Sequence, residues 1–107
     1  MSKVIEINSE TEFDELIAGE VPVAVDFYAT WCNPCKMQAP IFHEFAESVG
    51  EKVKTAKLDV DVNEKIAIRY RIASIPTIAV FKGGEMVEKS IGLTSKAQLS
   101  ELLIKYL

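Results

Sequence analysis

The only two cysteines of the chain, Cys32 and Cys35, stand three residues apart in "ATWCNPCKMQAP", residues 29–40. A pair at this spacing can ligate a metal, attach a haem, staple the fold or exchange electrons as a dithiol. A tetrahedral zinc site needs four ligands, so one C-x-x-C and the single histidine, His43, could complete it only by sharing across a dimer. Haem attachment requires C-x-x-C-H, and Lys36 holds the histidine position. A passive cross-link closing so short a loop removes little entropy from the unfolded chain. Dithiol exchange is the chemistry that remains.

That chemistry needs a thiolate, and a cysteine where a helix begins has unsatisfied backbone N–H groups and the positive end of the helix dipole to stabilise one. The periodicity of Ile41, Phe42, Phe45, Ala46 and Val49 predicts a helix from near Cys35 to Val49, stopped by Gly50 and kinked at Pro40. Cys32 then sits at the helix entry, and Cys35 lies one turn inside, able to attack a mixed disulfide formed on Cys32. Pro34 is tolerated in a first helical turn, and Asn33 before it reads as an N-cap. An Asn33 cap would have two opposed effects. Its oxygen would compete with the Cys32 thiolate for N–H donors, while its amide could donate to the sulfur.

The elements that must hold this pair alternate between helix and strand patterns. "KVIEIN" reads as a short strand, followed by a helix opened by an S-x-x-E capping box, Ser9 and Glu12, and ended by Gly19. "VPVAVDFYA" is apolar on both faces, as expected of a central strand covered on both sides. "KVKTAKLDV" is a further strand, and "NEKIAIRY" a short helix capped by Asn63 or Asp61. "TIAVFK" and "EMVEKSIG" flank Gly83 and Gly84, a hairpin signal that implies antiparallel pairing. The last helix has a Ser95/Gln98 capping box and a stripe of Leu99, Leu102, Leu103 and Tyr106. The order βαβαβαββα predicts an α/β fold with a mixed central sheet flanked by helices on both faces.

Composition sets the outer bounds. A chain of 107 residues with 49% hydrophobic content can build one compact core, so a single domain over residues 1–107 is expected. The formal net charge of -4, without a local Lys/Arg cluster, argues against nucleic acid as a ligand. The N-terminus lacks the apolar region of a secretory signal, and no apolar run approaches the ~20 residues of a membrane span. Two closely spaced cysteines do not make the framework of a disulfide-stapled secreted domain. A reducing cytoplasm is the compartment these features predict, with no membrane partner.

The stretch "VAVDFYATWCNPCK", the later "SIPT" before a strand, and "GG" followed by "IG" in the closing hairpin resemble the thioredoxin family over essentially the whole chain. The resemblance implies the thioredoxin fold and a protein-disulfide reductant that serves redox homeostasis. It further implies no bound cofactor, electrons from NADPH through a thioredoxin reductase, clients that include disulfide-bearing reductases and peroxidases, and a monomer. One residue departs from the family pattern. Asn33 stands where thioredoxins usually have Gly, which bears on the reduction potential, since ~30 mV corresponds to about 1.4 kcal/mol for a two-electron couple.

Other positions gain a meaning from the resemblance beside their plainer one. Asp26, in an apolar strand, is either an acid reaching solvent at the strand end or a buried carboxyl with a raised pKa; the match makes it a proton relay for Cys35. Lys57, otherwise an ordinary exposed lysine, matches a lysine close to that acid. Pro76, permitted as a strand-start proline, matches a cis proline facing the cysteines, with Ile75 before it bonding an extended client by strand addition. Trp31 is a core aromatic or a cover over the site, and Gly92 a turn glycine or part of an apolar docking surface. The match thus groups Trp31, Asn33, Pro34, Ile75, Pro76 and Gly92 as the client-binding face.

Two rival functions share these residues. An oxidant or isomerase on the same fold would commonly carry His before the second cysteine, where this chain has Pro34. A non-catalytic docking module would use the apolar surface around Trp31, Ile75 and Gly92 and merely retain the cysteines. His43 reads as a solvated residue on the polar side of the long helix, and Met37 as a surface or rim residue near the site.

Overall fold

The computed structural model describes residues 3–107. Its elements follow the predicted order: β1 (Val4–Glu6), α1 (Glu10–Ile17), β2 (Val23–Tyr28), α2 (Asn33–Val49), a 3-10 turn (Gly50–Lys52), β3 (Lys54–Asp59), α3 (Glu64–Arg69), β4 (Thr77–Lys82), β5 (Glu85–Ile91) and α4 (Lys96–Ile104). The five strands form one sheet in the order β1-β3-β2-β4-β5. β3 lies parallel to both β1 and β2, whereas β4 runs antiparallel to β2 and β5 antiparallel to β4.

β2 sits in the middle because its side chains are apolar in both directions. Val23, Val25 and Phe27 point to the face covered by α1 and α3, where they meet Phe13, Ile17 and Ile66. Ala24 points to the other face, with Phe42 and Phe45 of α2 and Leu99 and Leu103 of α4. Strand alternation therefore sends Asp26 to the α2 side of the sheet. On the first face Phe13, Tyr70 and Phe81 meet edge-on or tilted, with ring centroids 5.0 to 5.6 Å apart.

The caps differ in detail from expectation. Ser95 and Gln98 form the reciprocal box at α4. At α1, Ser9 Oγ accepts from the Glu12 amide, but Glu12 accepts from the amide of Asn8 rather than that of Ser9, so the box is displaced by one residue. α1 ends at Ile17, two residues before Gly19. Asn63 occupies the N-cap position of α3 without capping it; its amide donates to the carbonyls of Ile7 and Asp59 and ties this loop to the end of β1. α2 continues unbroken through Pro40, and Gly50 ends it at a φ of 57°, a left-handed conformation that glycine adopts without a Cβ penalty. Tyr106 packs on the core face of α4 from just beyond the helix end.

The hairpin turn at Gly83 and Gly84 has positive φ at both positions, and both amides are used. Gly83 donates to the carbonyl of Gly19 and Gly84 to that of Ile17, which fastens the turn to the end of α1. Phe81, fully buried beside that turn, carries much of the α1/α3 core. Phe81→Ala is expected to lower unfolding free energy by about 3–5 kcal/mol through lost burial and the cavity left behind, as read from urea titrations.

Candidate active site

The two cysteines lie just beyond the C-terminal end of β2, joined as a disulfide with their Cα atoms 5.2 Å apart. Both are buried, packed with Ala29 and flanked by Tyr28, Val60 and Ile75. The helix begins at Asn33, two residues earlier than its apolar periodicity indicates. Its N-cap is Cys32, whose backbone is extended and whose Sγ accepts the Cys35 N–H at 3.2 Å. This corrects the expectation of an Asn33 cap. The chain turns into the helix one residue sooner, a sulfur takes the acceptor role, and the exposed Asn33 side chain makes no hydrogen bond among the described residues. Pro34 follows in the first turn, where an N–H would have no intrahelical partner. Once the disulfide is reduced, the Cys35 N–H is already in place to stabilise a Cys32 thiolate.

The opposite wall is the segment before β4. The Ile75–Pro76 peptide bond is cis, and the Ile75 carbonyl oxygen lies 3.8 Å from Cys32 Sγ. The Pro76 carbonyl accepts the amide of Gly92 at 2.8 Å, so the two ends of the β4–β5 hairpin are bound together beside the disulfide. Around this buried pair stand exposed apolar side chains: Trp31 at 67%, Met37 at 61%, Ile91 at 64% and Leu93 at 46% exposure. Trp31 is held in that position, since its indole N–H donates to Asp61 Oδ2 at 2.8 Å. Asp61 is fixed in turn by Asp59, whose carboxylate accepts the amides of Asp61 and Val62.

Asp26 is 4% exposed, and its Oδ1 has no hydrogen-bond partner. Burial raises its pKa to about 7, with the charge of Lys57 acting in the opposite direction. Lys57 faces Asp26 across the β2–β3 pairing and faces Glu6 across the β1–β3 pairing, so the three form one rank over adjacent strands. The Lys57 ammonium is 4.0 Å from the Glu6 carboxylate, which also accepts the Tyr28 hydroxyl at 2.7 Å. Burial first, and then that bond to Glu6, push the Tyr28 hydroxyl far above its ordinary range. Tyr28, Ala29, Thr30, Cys35, Lys36 and Ala39 line a cavity of about 250 Å³ beside the second cysteine.

The structure thus brings Cys32, Cys35, Trp31, Asn33, Pro34, Ile75, Pro76 and Gly92 to one end of the sheet, and sets Asp26 and Lys57 side by side in the strands that lead to it. Glu6, Tyr28 and Gln38 carry no signal in the sequence, and Asp61, expected as a possible cap of α3, instead accepts the Trp31 indole N–H. Gln38 is fully buried on α2, where its carboxamide donates to the Thr94 carbonyl and accepts the Thr94 amide. Among the described residues, no group of three or more His, Cys, Asp or Glu side chains is placed to hold a metal ion, and no helix is long and apolar enough to cross a membrane.

The family model described as Thioredoxin matches residues 3–105. The chain belongs to the thioredoxin family. It is 41% identical to Thioredoxin 1 of Nostoc sp. over the full length of both chains. It is also 42% identical, over 89% of its own length, to the protein of Mycobacterium leprae described as a bifunctional thioredoxin reductase/thioredoxin, of which the match covers 21%. Among solved structures, the thioredoxin of Malassezia sympodialis superposes with a TM-score of 0.91 at 33% identity, over 99% of this chain and 92% of the other. With a C-x-x-C disulfide on a thioredoxin fold, the protein is a thiol–disulfide oxidoreductase of a family that needs no bound cofactor.

Two expectations arise from this geometry. The folded state holds the Asp26 proton up to about 7 while an unfolded chain releases it near 3.8, so the folded state binds more protons in that window and loses stability as pH rises through it. Asp26→Asn should match the wild type below about pH 4 and exceed it by roughly 4 kcal/mol above about pH 8, as read from urea unfolding at both pH values. Because Cys32 rather than Asn33 caps the helix, Asn33→Gly should move the Cys32/Cys35 reduction potential by less than ~30 mV, measured by thiol trapping in graded redox buffers.

Proposed function

We propose that this protein is a general protein-disulfide reductant of the cytoplasm, working as a monomeric single domain. The observation that carries the reading is the helix-capping sulfur of Cys32, buried and aimed at by the Cys35 N–H. The Cys32 thiolate attacks one sulfur of a client disulfide, forms a mixed disulfide and expels the other client sulfur as a thiolate. The Cys35 thiolate then attacks Cys32 Sγ, releases the second client thiolate and restores the Cys32–Cys35 disulfide. Two electrons pass to the client in the cycle.

Cys35 must lose its proton for the second step. Asp26, on the α2 side of the sheet and titrating at about 7, is the group suited to take it and to return it on re-reduction. Lys57 opposes the burial that raises Asp26 and keeps its carboxylate accessible near neutral pH. Trp31, Asn33, Pro34, Ile75, Pro76 and Gly92 form the face that receives the client, with the Ile75 main chain available for strand-like pairing. Electrons come from NADPH through a thioredoxin reductase, a pairing supported by the relative whose description joins the two activities in one chain. Reductases and peroxidases that end their cycles as disulfides are the clients.

The test is capture. Cys35→Ser should accumulate mixed disulfides with clients through Cys32 in lysates, released by dithiothreitol, and Cys32→Ser should accumulate none. A Cys35→Ser protein that yields no adducts, while noncovalent partners persist with both cysteines replaced, would establish the docking module instead.

A further inference from the structure

The apolar stripe of α2 contains one residue of the wrong chemistry. Cys35, Gln38, Phe42 and Phe45 recur at helical spacing on its buried face, and Gln38 is as inaccessible as the phenylalanines. Leu or Met there would bury apolar surface without the cost of desolvating a carboxamide. The carboxamide instead makes two directional bonds to the main chain of one residue, donating to Thr94 O at 3.0 Å and accepting from Thr94 N at 2.8 Å. Two hydrogen bonds from this one side chain thus tie the loop after β5 to α2.

That loop borders the disulfide. Thr94 Oγ1 donates to the Gly92 carbonyl, the Gly92 amide donates to the Pro76 carbonyl, and the carbonyl of Ile75, one residue before Pro76, faces Cys32 Sγ. Followed from Cys35, the contacts run through α2 to Gln38, then Thr94, Gly92, Pro76 and Ile75, and return to Cys32. The ring fixes the apolar rim at the end of β5 and on the loop, Ile91 and Leu93, relative to the rim on the helix side, Trp31 and Met37. Gly92, at a φ of 92°, has nothing within 4 Å of where a Cβ would stand, so it is held through its main chain alone.

We propose that Gln38 is a positioning residue for client recognition, its buried carboxamide holding the Gly92 loop against the helix that carries the disulfide. The proposal rests on the reductant reading above and adds the device that sets the shape of its docking face. Without the two bonds the loop samples other positions, and the apparent dissociation constant for a protein client rises in inverse proportion to the competent fraction. The sulfur chemistry at Cys32 and Cys35 keeps its own hydrogen bond and stays in place.

The experiment uses insulin as the protein disulfide and hydroxyethyl disulfide as a small one. Pre-reduced wild type and Gln38→Met are each mixed with rising insulin concentrations in single turnover, and the conversion of the Cys32/Cys35 dithiol to the disulfide is followed by acid quenching and alkylation. Gln38→Met should raise the half-saturating insulin concentration about tenfold, leave the limiting rate and the hydroxyethyl disulfide rate within about twofold, and release the Thr94 amide to hydrogen exchange. Gln38→Glu gives the test a second form. Ionised, it keeps the acceptor for Thr94 N–H but loses the donor. Protonated at lower pH it regains both, so its half-saturation should return toward that of the wild type measured at the same pH. An unchanged half-saturation in Gln38→Met, or a limiting rate that falls in step with the small-disulfide rate, overturns the proposal. A wild type that reduces neither disulfide overturns the reductant reading and this proposal with it.

Discussion

An α-helix leaves its first N–H groups without internal partners, and here the acceptor at the start of α2 is a sulfur. This single contact, Cys35 N–H to Cys32 Sγ, brings the reactive chemistry and the architecture together. The helix is fastened through the atom that must change its bonding, so the groups that would stabilise a thiolate are positioned by folding itself. The rest of the site reads as support for that arrangement. β2 delivers the chain to the helix entry, the segment before β4 places the Ile75 carbonyl on the far side of the same sulfur, and the bond between the hairpin ends, Gly92 to Pro76, holds that segment in place.

The sheet carries an opposing tension. Helices cover both of its faces, so its central strand must be apolar in both directions, and Asp26 violates that rule at a position almost closed to water. The neighbouring strands do not neutralise it outright. Lys57 is drawn toward Glu6, and Glu6 is also engaged by Tyr28, so the charge that would best settle Asp26 is shared outward along the rank. The acid is left poised near neutrality at a cost in stability.

Much of the fold was legible because periodicity and punctuation agree along the chain. The two-sided apolar run of β2, the paired glycines of the hairpin and the Ser95/Gln98 box each point to one structure, and the element order follows. The misreadings have two causes, an acceptor of unusual chemistry and partners remote in sequence. Asn33 reads as a cap because cap preferences are built on oxygen acceptors, and sulfur is absent from that vocabulary; Asn63 takes the cap position but donates its amide to Ile7, just beyond β1. Gln38 and Thr94 are 56 residues apart in sequence, and nothing in either local pattern points to the other. The bond between Trp31 and Asp61 is hidden for the same reason, being made between two loops that only the finished sheet brings together.

β4 and β5 pair from Thr77 with Ile91 to Lys82 with Glu85. Pro76 and Gly92 therefore lie one residue beyond the open end of a single hairpin, while its turn is fastened to α1 at the far end of the sheet. The wall facing the disulfide is thus a contiguous cassette of chain, residues 75–92, and the disulfide belongs to another, residues 26–35. The reactive centre and the wall that meets it therefore come from separate stretches of chain, and the cleft between them exists only once β2 and β4 have paired, Phe27 against Thr77.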